Sequence, residues 1–113
     1  MNKYHAKKTV YDNITFDSQK EGARYLELKM LEKAGKISHL TVQPKYKLAS
    51  PHCTVAYPNG RVAIYTPDFS YLSYDDNTLI VEDVKGGKGT MTEASKLRMA
   101  VFSALYGIQV TIT

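Results

Sequence analysis

Thr78-Leu79-Ile80-Val81-Glu82-Asp83-Val84-Lys85 is apolar on both faces at its start and then turns acidic. A strand that is apolar on both faces belongs in the middle of a sheet. Side chains alternate along an extended chain, so Val81, Asp83 and Lys85 share one face while Ile80, Glu82 and Val84 share the other. Asp83 and Lys85 then stand about 7 Å apart along the strand. Carboxylates on a central strand are costly unless they are paired or bound to a metal. The stretch therefore implies a buried sheet and marks a place where its chemistry needs explaining.

Working outward, Gly86-Gly87-Lys88-Gly89 breaks the pattern, and Thr90 or Thr92 can cap a second helix. Ala94, Leu97, Val101, Ala104 and Leu105 keep helical spacing as far as Gly107, after which Ile108, Val110 and Ile112 alternate as a last short strand. A strand–helix–strand order implies a parallel pairing inside a mixed sheet. Upstream, residues 55–57 and 61–65 flank Pro58-Asn59-Gly60, a hairpin signal whose second arm runs on through Leu72. Leu40, Val42, Tyr46 and Leu48 alternate as a strand that Pro44 bends or places at an edge. Ser18 with Glu21 forms a capping box, so a first helix runs over residues 18–34, with Gly35 beyond its end. Its apolar face is expected at Ala23, Leu26, Met30 and Ala34, with Leu28 and Leu31 beside it. Residues 1–13 read as a basic N-terminal arm or short edge element, and residues 14–113 as one domain. The class is α/β, in the order helix, three or four strands, helix, strand.

The chain of 113 residues is 43% hydrophobic and 23% charged, which suits one soluble core. No apolar run approaches the ~20 residues that cross a bilayer, and no apolar segment follows the first charges as in a secretory signal. Cys53 is the only cysteine, so an internal disulfide or a Cys-rich zinc site is excluded, and an intracellular, cytoplasmic protein is expected. Through Lys47 the chain has ten basic and five acidic residues, and beyond it five basic and six acidic. A basic front beside a slightly acidic back suits a polyanion-facing surface next to a cation-holding one, or simply a solvated lysine-rich helix.

Asp68 follows Pro67 inside an aromatic stretch (Tyr65, Phe69, Tyr71) where a solvated carboxylate is not expected. With Asp83 on a neighbouring strand it offers two hard oxygen ligands to a divalent cation. Such a cation polarises a phosphoryl group and lowers the pKa of bound water. A lysine in the place of Lys85 can orient that water or stabilise the charge of the transition state. Glu21 can add a third carboxylate. Each piece also has a plainer reading: an ion pair for Asp83 and Lys85, a turn for Asp68, the capping box for Glu21. Together, Pro-Asp followed by Asp-x-Lys on a buried strand points to phosphodiester chemistry.

At Pro67-Asp68 and Asp83-Val84-Lys85 the sequence resembles the PD-(D/E)XK nuclease superfamily. Phe16-Asp17-Ser18-x-x-Glu21-x-x-Arg24-Tyr25, Gln43-Pro44-Lys45-Tyr46, Tyr65-x-Pro67-Asp68-Phe69, Val81-Glu82-Asp83-Val84-Lys85-Gly86 and Leu105-Tyr106-Gly107 resemble, over nearly the whole chain, a family of small phage proteins described as Holliday-junction-resolvase-like. The resemblance implies a restriction-endonuclease-like core, a mixed β-sheet flanked by helices in the order α-β-β-β-α-β. It implies that Asp68, Asp83 and Glu21 hold Mg²⁺, with Mn²⁺ able to substitute, and that Lys85 serves the attacking water. Gln43 matches a position that contacts the site or the scissile phosphate. Glu82 points away by alternation and is secondary.

The expectation is a phage-encoded, metal-dependent endodeoxyribonuclease acting on duplex or branched DNA in the host cytoplasm, with a homodimer favoured for cutting two strands. Lys3, Lys7, Lys8, Lys20 and Arg24 would hold the DNA backbone. Lys88, Lys96 and Arg98 either meet phosphates or lie on a solvated helix face, and Gly86 to Gly89 is either a mobile loop or a linker. The alternative is a non-catalytic nucleic-acid-binding or protein-interaction module on the same fold. His5, His39 and His52 have no metal-ligand spacing and read as surface residues, while Cys53 reads as structural.

Overall fold

The computed structural model describes residues 8–85 and 92–113. Its elements are β1 (Thr9–Tyr11), β2 (Ile14–Phe16), α1 (Gln19–Lys33), β3 (Ile37–Val42), β4 (Tyr46–Lys47), β5 (Ala49–Ser50), β6 (Cys53–Thr54), β7 (Ile64–Tyr65), β8 (Phe69–Ser73), β9 (Leu79–Asp83), α2 (Glu93–Tyr106) and β10 (Thr111–Ile112). The main sheet has the order β10-β9-β8-β3. β3 and β9 run antiparallel to β8, and β10 runs parallel to β9. The fold is thus mixed α/β, and its core follows the helix, three strands, helix, strand order that the hydrophobic periods imply. β9 lies inside the sheet, as its two apolar faces require.

Both helices begin and end on the expected chemistry. The Ser18 hydroxyl accepts the Glu21 N–H at 3.1 Å and so caps α1. Gly35 takes φ +79, its N–H reaching the Glu32 carbonyl at 3.1 Å and the Lys36 N–H reaching the Leu31 carbonyl at 2.9 Å. These are the two bonds of a Schellman motif. Thr92 caps α2 by accepting the Ser95 N–H at 3.1 Å.

The faces of the helices differ from expectation. On α1 the buried residues are Glu21, Gly22, Tyr25 and Leu28, whereas Ala23, Leu26, Met30, Leu31 and Ala34 face outward. Met30 is 71% exposed. The buried stripe has helical spacing too, but a carboxylate and a glycine disguise it. Glu21 is held inward at the N-cap, where the Ser18 hydroxyl lies 3.4 Å from its Oε2, and Gly22 is covered by the hairpin of β1 and β2. A Cβ on Gly22 would come within 2.9 Å of the Tyr11 ring and 3.1 Å of the Thr9 methyl. On α2, Val101 and Leu105 pack against the core as expected, whereas Leu97, Ala94 and Ala104 are exposed and Phe102 is the fully buried residue.

The hairpin makes residues 9–13 part of the domain, the short edge element rather than an arm. Tyr11 pairs with Ile14, and the two residues between them, Asp12 and Asn13, have φ +51 and +64. Two left-handed residues in a two-residue loop make a type I′ turn, whose twist matches that of its strands.

Two cores lie on opposite faces of the sheet. Phe16, Tyr25, Leu28, Ile37, Phe69 and Tyr71 pack together with Ile80 and Val84 against them. Leu48, Ala63, Tyr65, Val81, Phe102 and Val110 form the other core. β9 therefore sends Ile80 toward α1 and Val81 toward α2, with Val84 just past its end on the α1 side, as alternation predicts. The strand expected around Pro44 is broken outright: Gln43 has φ +51, and β4 resumes in a separate pairing with β7. β5 pairs with β6, and Ala56 with Val62. With the Tyr57 N–H bonded to the Arg61 carbonyl at 2.9 Å, these pairings make a β wing that rises from the sheet's second face.

Candidate functional site

Asp68 immediately precedes β8, and Asp83 ends β9. Phe69 pairs with Glu82, so the same register carried one step further sets Asp68 opposite Asp83. The Asp68 N–H donates to the Glu82 carbonyl at 3.0 Å and to Asp83 Oδ1 at 3.2 Å. Asp68 Oδ2 in turn accepts the Val84 N–H at 2.6 Å. The second oxygen of Asp83 accepts the Tyr65 hydroxyl. Two strands thus fix two carboxylates side by side, an arrangement that like charges directly opposed disfavour.

The electrostatics reflect that cost. Burial first, then a hydrogen bond to the Glu21 carboxyl and the charges of Glu21 and Asp17, push Asp68 up to about 7. Asp83 is pushed up to about 6, by burial first; the Tyr65 hydroxyl opposes the rise and the Asp68 charge adds to it. Both are half-buried. Tyr65 itself is raised, by burial and by the Asp83 carboxylate.

Glu21 is buried in the first turn of α1, where the Ser18 hydroxyl lies 3.4 Å from its Oε2. The residue is both the capping-box glutamate and the neighbour of Asp68. Gln43 stands next to them: its N–H donates to the Asp68 carbonyl at 2.9 Å, and the residue is exposed. Lys85, two residues beyond Asp83, is exposed. Its N–H is bonded to the Thr113 carbonyl at 2.9 Å, and its own carbonyl accepts Lys20 Nζ at 2.8 Å. Hard carboxylate oxygens suit Mg²⁺ or Mn²⁺. Among the described residues, however, no three His, Cys, Asp or Glu side chains gather round a single ion-sized point. Glu21 meets Asp68, and Asp68 meets Asp83, as a chain of pairs.

The expected backbone-binding residues fall into three groups. Arg24 is ion-paired: Nε and Nη2 donate to the two Glu82 oxygens at 2.9 and 2.7 Å, and Nη1 reaches Glu27 at 3.4 Å. Glu82 is 1% exposed and also accepts the Tyr71 hydroxyl. Arg24, itself half-buried, is therefore the cation that pairs with buried Glu82 on the far face of β9. Lys20 is tied to the Lys85 carbonyl, Lys8 is exposed, and Lys96 pairs with Glu93 at 3.4 Å. Lys3, Lys7, Lys88 and the segment Gly86 to Gly89 lie outside the described residues, as does His5.

Tyr65 and Asp17 are the contributors that sequence reasoning missed. Tyr65 lies on the same side of its strand as buried Ala63, but an aromatic residue in a hairpin arm gives no sequence signal beyond packing. Asp17 lies just before the N-cap, at the helix end that faces Asp68. His39 and His52 are exposed, as expected, and Cys53 is exposed rather than structural.

A mixed four-stranded sheet between two helices, with paired carboxylates at the ends of two adjacent strands, defines the class of this protein. Along residues 1–113 the chain matches the family described as "Protein of unknown function (DUF1064)". It belongs to that family. Neither a curated protein nor a solved structure shows significant similarity to it. Among the described residues no helix is long and apolar enough to cross a membrane.

Proposed function

We propose that this protein is a metal-dependent endodeoxyribonuclease on a PD-(D/E)XK core, acting on duplex or branched DNA in a phage setting. The observation that carries the reading is the pair of carboxylates, Asp68 and Asp83, opposed on adjacent strands with Glu21 against the first. Structural ion pairs bring unlike charges together, and this site gathers like ones. Asp68 and Asp83 are the pair that would hold Mg²⁺ or Mn²⁺, with Glu21 beside Asp68 as the third carboxylate of that chain of pairs. When bound, the cation supplies Lewis-acid polarisation of the phosphoryl group and a lowered pKa for water. The chain's own residues supply the rest. Lys85, on the same side of the strand as Asp83, orients the attacking water and stabilises charge on the phosphoryl oxygens. Tyr65 fixes the Asp83 carboxylate through its hydroxyl, and Gln43 borders the site from the end of β3.

One observation favours a second reading, a non-catalytic nucleic-acid-binding or interaction module. Both oxygens of Asp83 and one of Asp68 already accept protein hydrogen bonds, so these carboxylates are partly satisfied without an ion. The test is cleavage of labelled duplex, single-stranded and four-way-junction DNA with Mg²⁺ or Mn²⁺, wild type beside Asp83→Ala and Lys85→Ala. Cleavage by the wild type, with both variants reduced by about 10²–10⁴-fold, supports the nuclease. A wild type that binds DNA and cuts nothing with either metal supports the module.

A further inference from the structure

Between Glu32 and Asp68 the chain contains five Lys and Arg residues and not one Asp or Glu. Three of the basic residues, Lys45, Lys47 and Arg61, belong to the wing built on β4 to β7, and all three are exposed. Exposed Tyr57 pairs through its N–H with Arg61 at the Pro58-Asn59-Gly60 turn. A surface with charges of one sign presents positive potential whichever side meets a ligand.

The wing is also connected to the carboxylates. Its last residue, Tyr65, is buried, packs on Phe102 at a ring distance of 5.0 Å, and donates its hydroxyl to Asp83. From Tyr65 to Gly60 the arm reaches about 17 Å at strand rise. A two-stranded ribbon of this kind fits the major groove of B-DNA, which is about 12 Å wide. The major groove of A-form RNA is too deep and narrow for it.

We propose that the wing is a grip for duplex DNA, with Lys45, Lys47 and Arg61 meeting backbone phosphates and holding the duplex over the Asp68–Asp83 end of the sheet. It rests on the nuclease reading for its choice of ligand, and it replaces Arg24 as the main source of backbone contact. Such contacts position the duplex without reading its sequence.

The test is fluorescence anisotropy of labelled duplex DNA with the full chain in EDTA across a salt series, with Mg²⁺-dependent cleavage by wild type scored separately. K45A/K47A/R61A is compared with K29A/K33A/K36A, which removes the same charge from the far end of α1 and its exit. The wing variant is expected to bind at least tenfold more weakly at low salt. Its plot of log K against log salt should flatten by up to about 2.7, at about 0.9 for each phosphate contact, while the control keeps the wild-type slope. Should the triple variant melt early, Arg61→Gln alone at the exposed turn is expected to flatten the slope by about 0.9. Equal losses in both triple variants, or an unchanged slope in the wing variants, overturn the grip, and wild-type cleavage then still upholds the nuclease. Equal affinity for an RNA duplex of the same sequence overturns the assignment to DNA. A wild type that neither binds nor cuts DNA overturns both.

Discussion

Asp68 and Asp83 are carboxyl groups that the fold makes harder to ionise, and the direction of that shift sets how stability depends on pH. A group whose folded pKa is raised binds its proton more tightly in the native state, so its contribution is fully present only below its unfolded value. For Asp68 that contribution is lost as pH rises from 3.8 toward about 7, and for Asp83 from 3.8 toward about 6. Across this window Asp68→Asn is expected to lose less melting temperature than wild type, and at pH 8 to melt higher. Mn²⁺ at pH 8 should raise the wild-type melting temperature and leave Asp68→Asn unmoved. A wild type indifferent to Mn²⁺ would count against these carboxylates as metal ligands. Tyr65→Phe keeps the ring on Phe102 and removes only the hydroxyl from Asp83. Outer-shell hydrogen bonds of this kind are worth about 10–100-fold in metal affinity, so calorimetric titration with Mn²⁺ at a temperature where the variant is folded should show a loss in that range. The carboxylates themselves were legible, because a proline-led Asp in an aromatic stretch and an acidic end to a buried strand both break the expected pattern. Tyr65 was not, since its partner lies 18 residues away on another strand and an aromatic residue in a hairpin arm already has a packing role.

At the scale of elements, the ends were easier to read than the faces. Ser18, Gly35, Thr92 and Gly107 are terminal signals set by local backbone chemistry, and each stands where its helix starts or stops. Which side of α1 is buried depends instead on what arrives from elsewhere, and the β1–β2 hairpin arrives on Gly22. Its turn, Asp12-Asn13, lacks the glycine that usually announces a type I′ hairpin, so neither the hairpin nor the buried stripe showed in the sequence. Gly22→Ala and Met30→Lys separate the two readings of this helix. By propensity alone, alanine at Gly22 should stabilise a helix by about 1 kcal/mol. Here its methyl would meet the Tyr11 ring at 2.9 Å, and overpacking of this sort costs about 1–3 kcal/mol. Met30→Lys, on the outward face, is expected to stay within about 0.5 kcal/mol of wild type. Urea unfolding of both variants measures this directly, and a severe loss from Met30→Lys would mean that another surface covers that face.

For the whole molecule, the tie between helix and sheet is the ion pair of Arg24 and Glu82, with Tyr71 as its third member. It joins residues 58 apart in sequence, so no local spacing could reveal it. Taken singly, Arg24 looks like a phosphate ligand on a basic helix and Glu82 like a spare acid beside the Asp-x-Lys pair. In the fold their charges meet on the face of β9 opposite Asp83, and one sheet thus keeps its structural pair apart from its candidate site. Burial and then the bond to Glu82 push Tyr71 up to about 12, while for Arg24 the bond to Glu82 raises the guanidinium against the opposing effect of burial. Arg24 and Tyr71 therefore both keep their protons across the working pH range. Arg24→Ala leaves a carboxylate that is 1% exposed without its cation, and breaking a buried pair in this way costs about 3–5 kcal/mol. The urea midpoint should fall accordingly with the slope unchanged, while at temperatures where the variant is folded its salt-dependent DNA binding should match wild type. Were Arg24→Ala to melt like wild type and yet lose affinity for DNA, the guanidinium would be a phosphate ligand after all, and the pair with Glu82 a contact that DNA displaces.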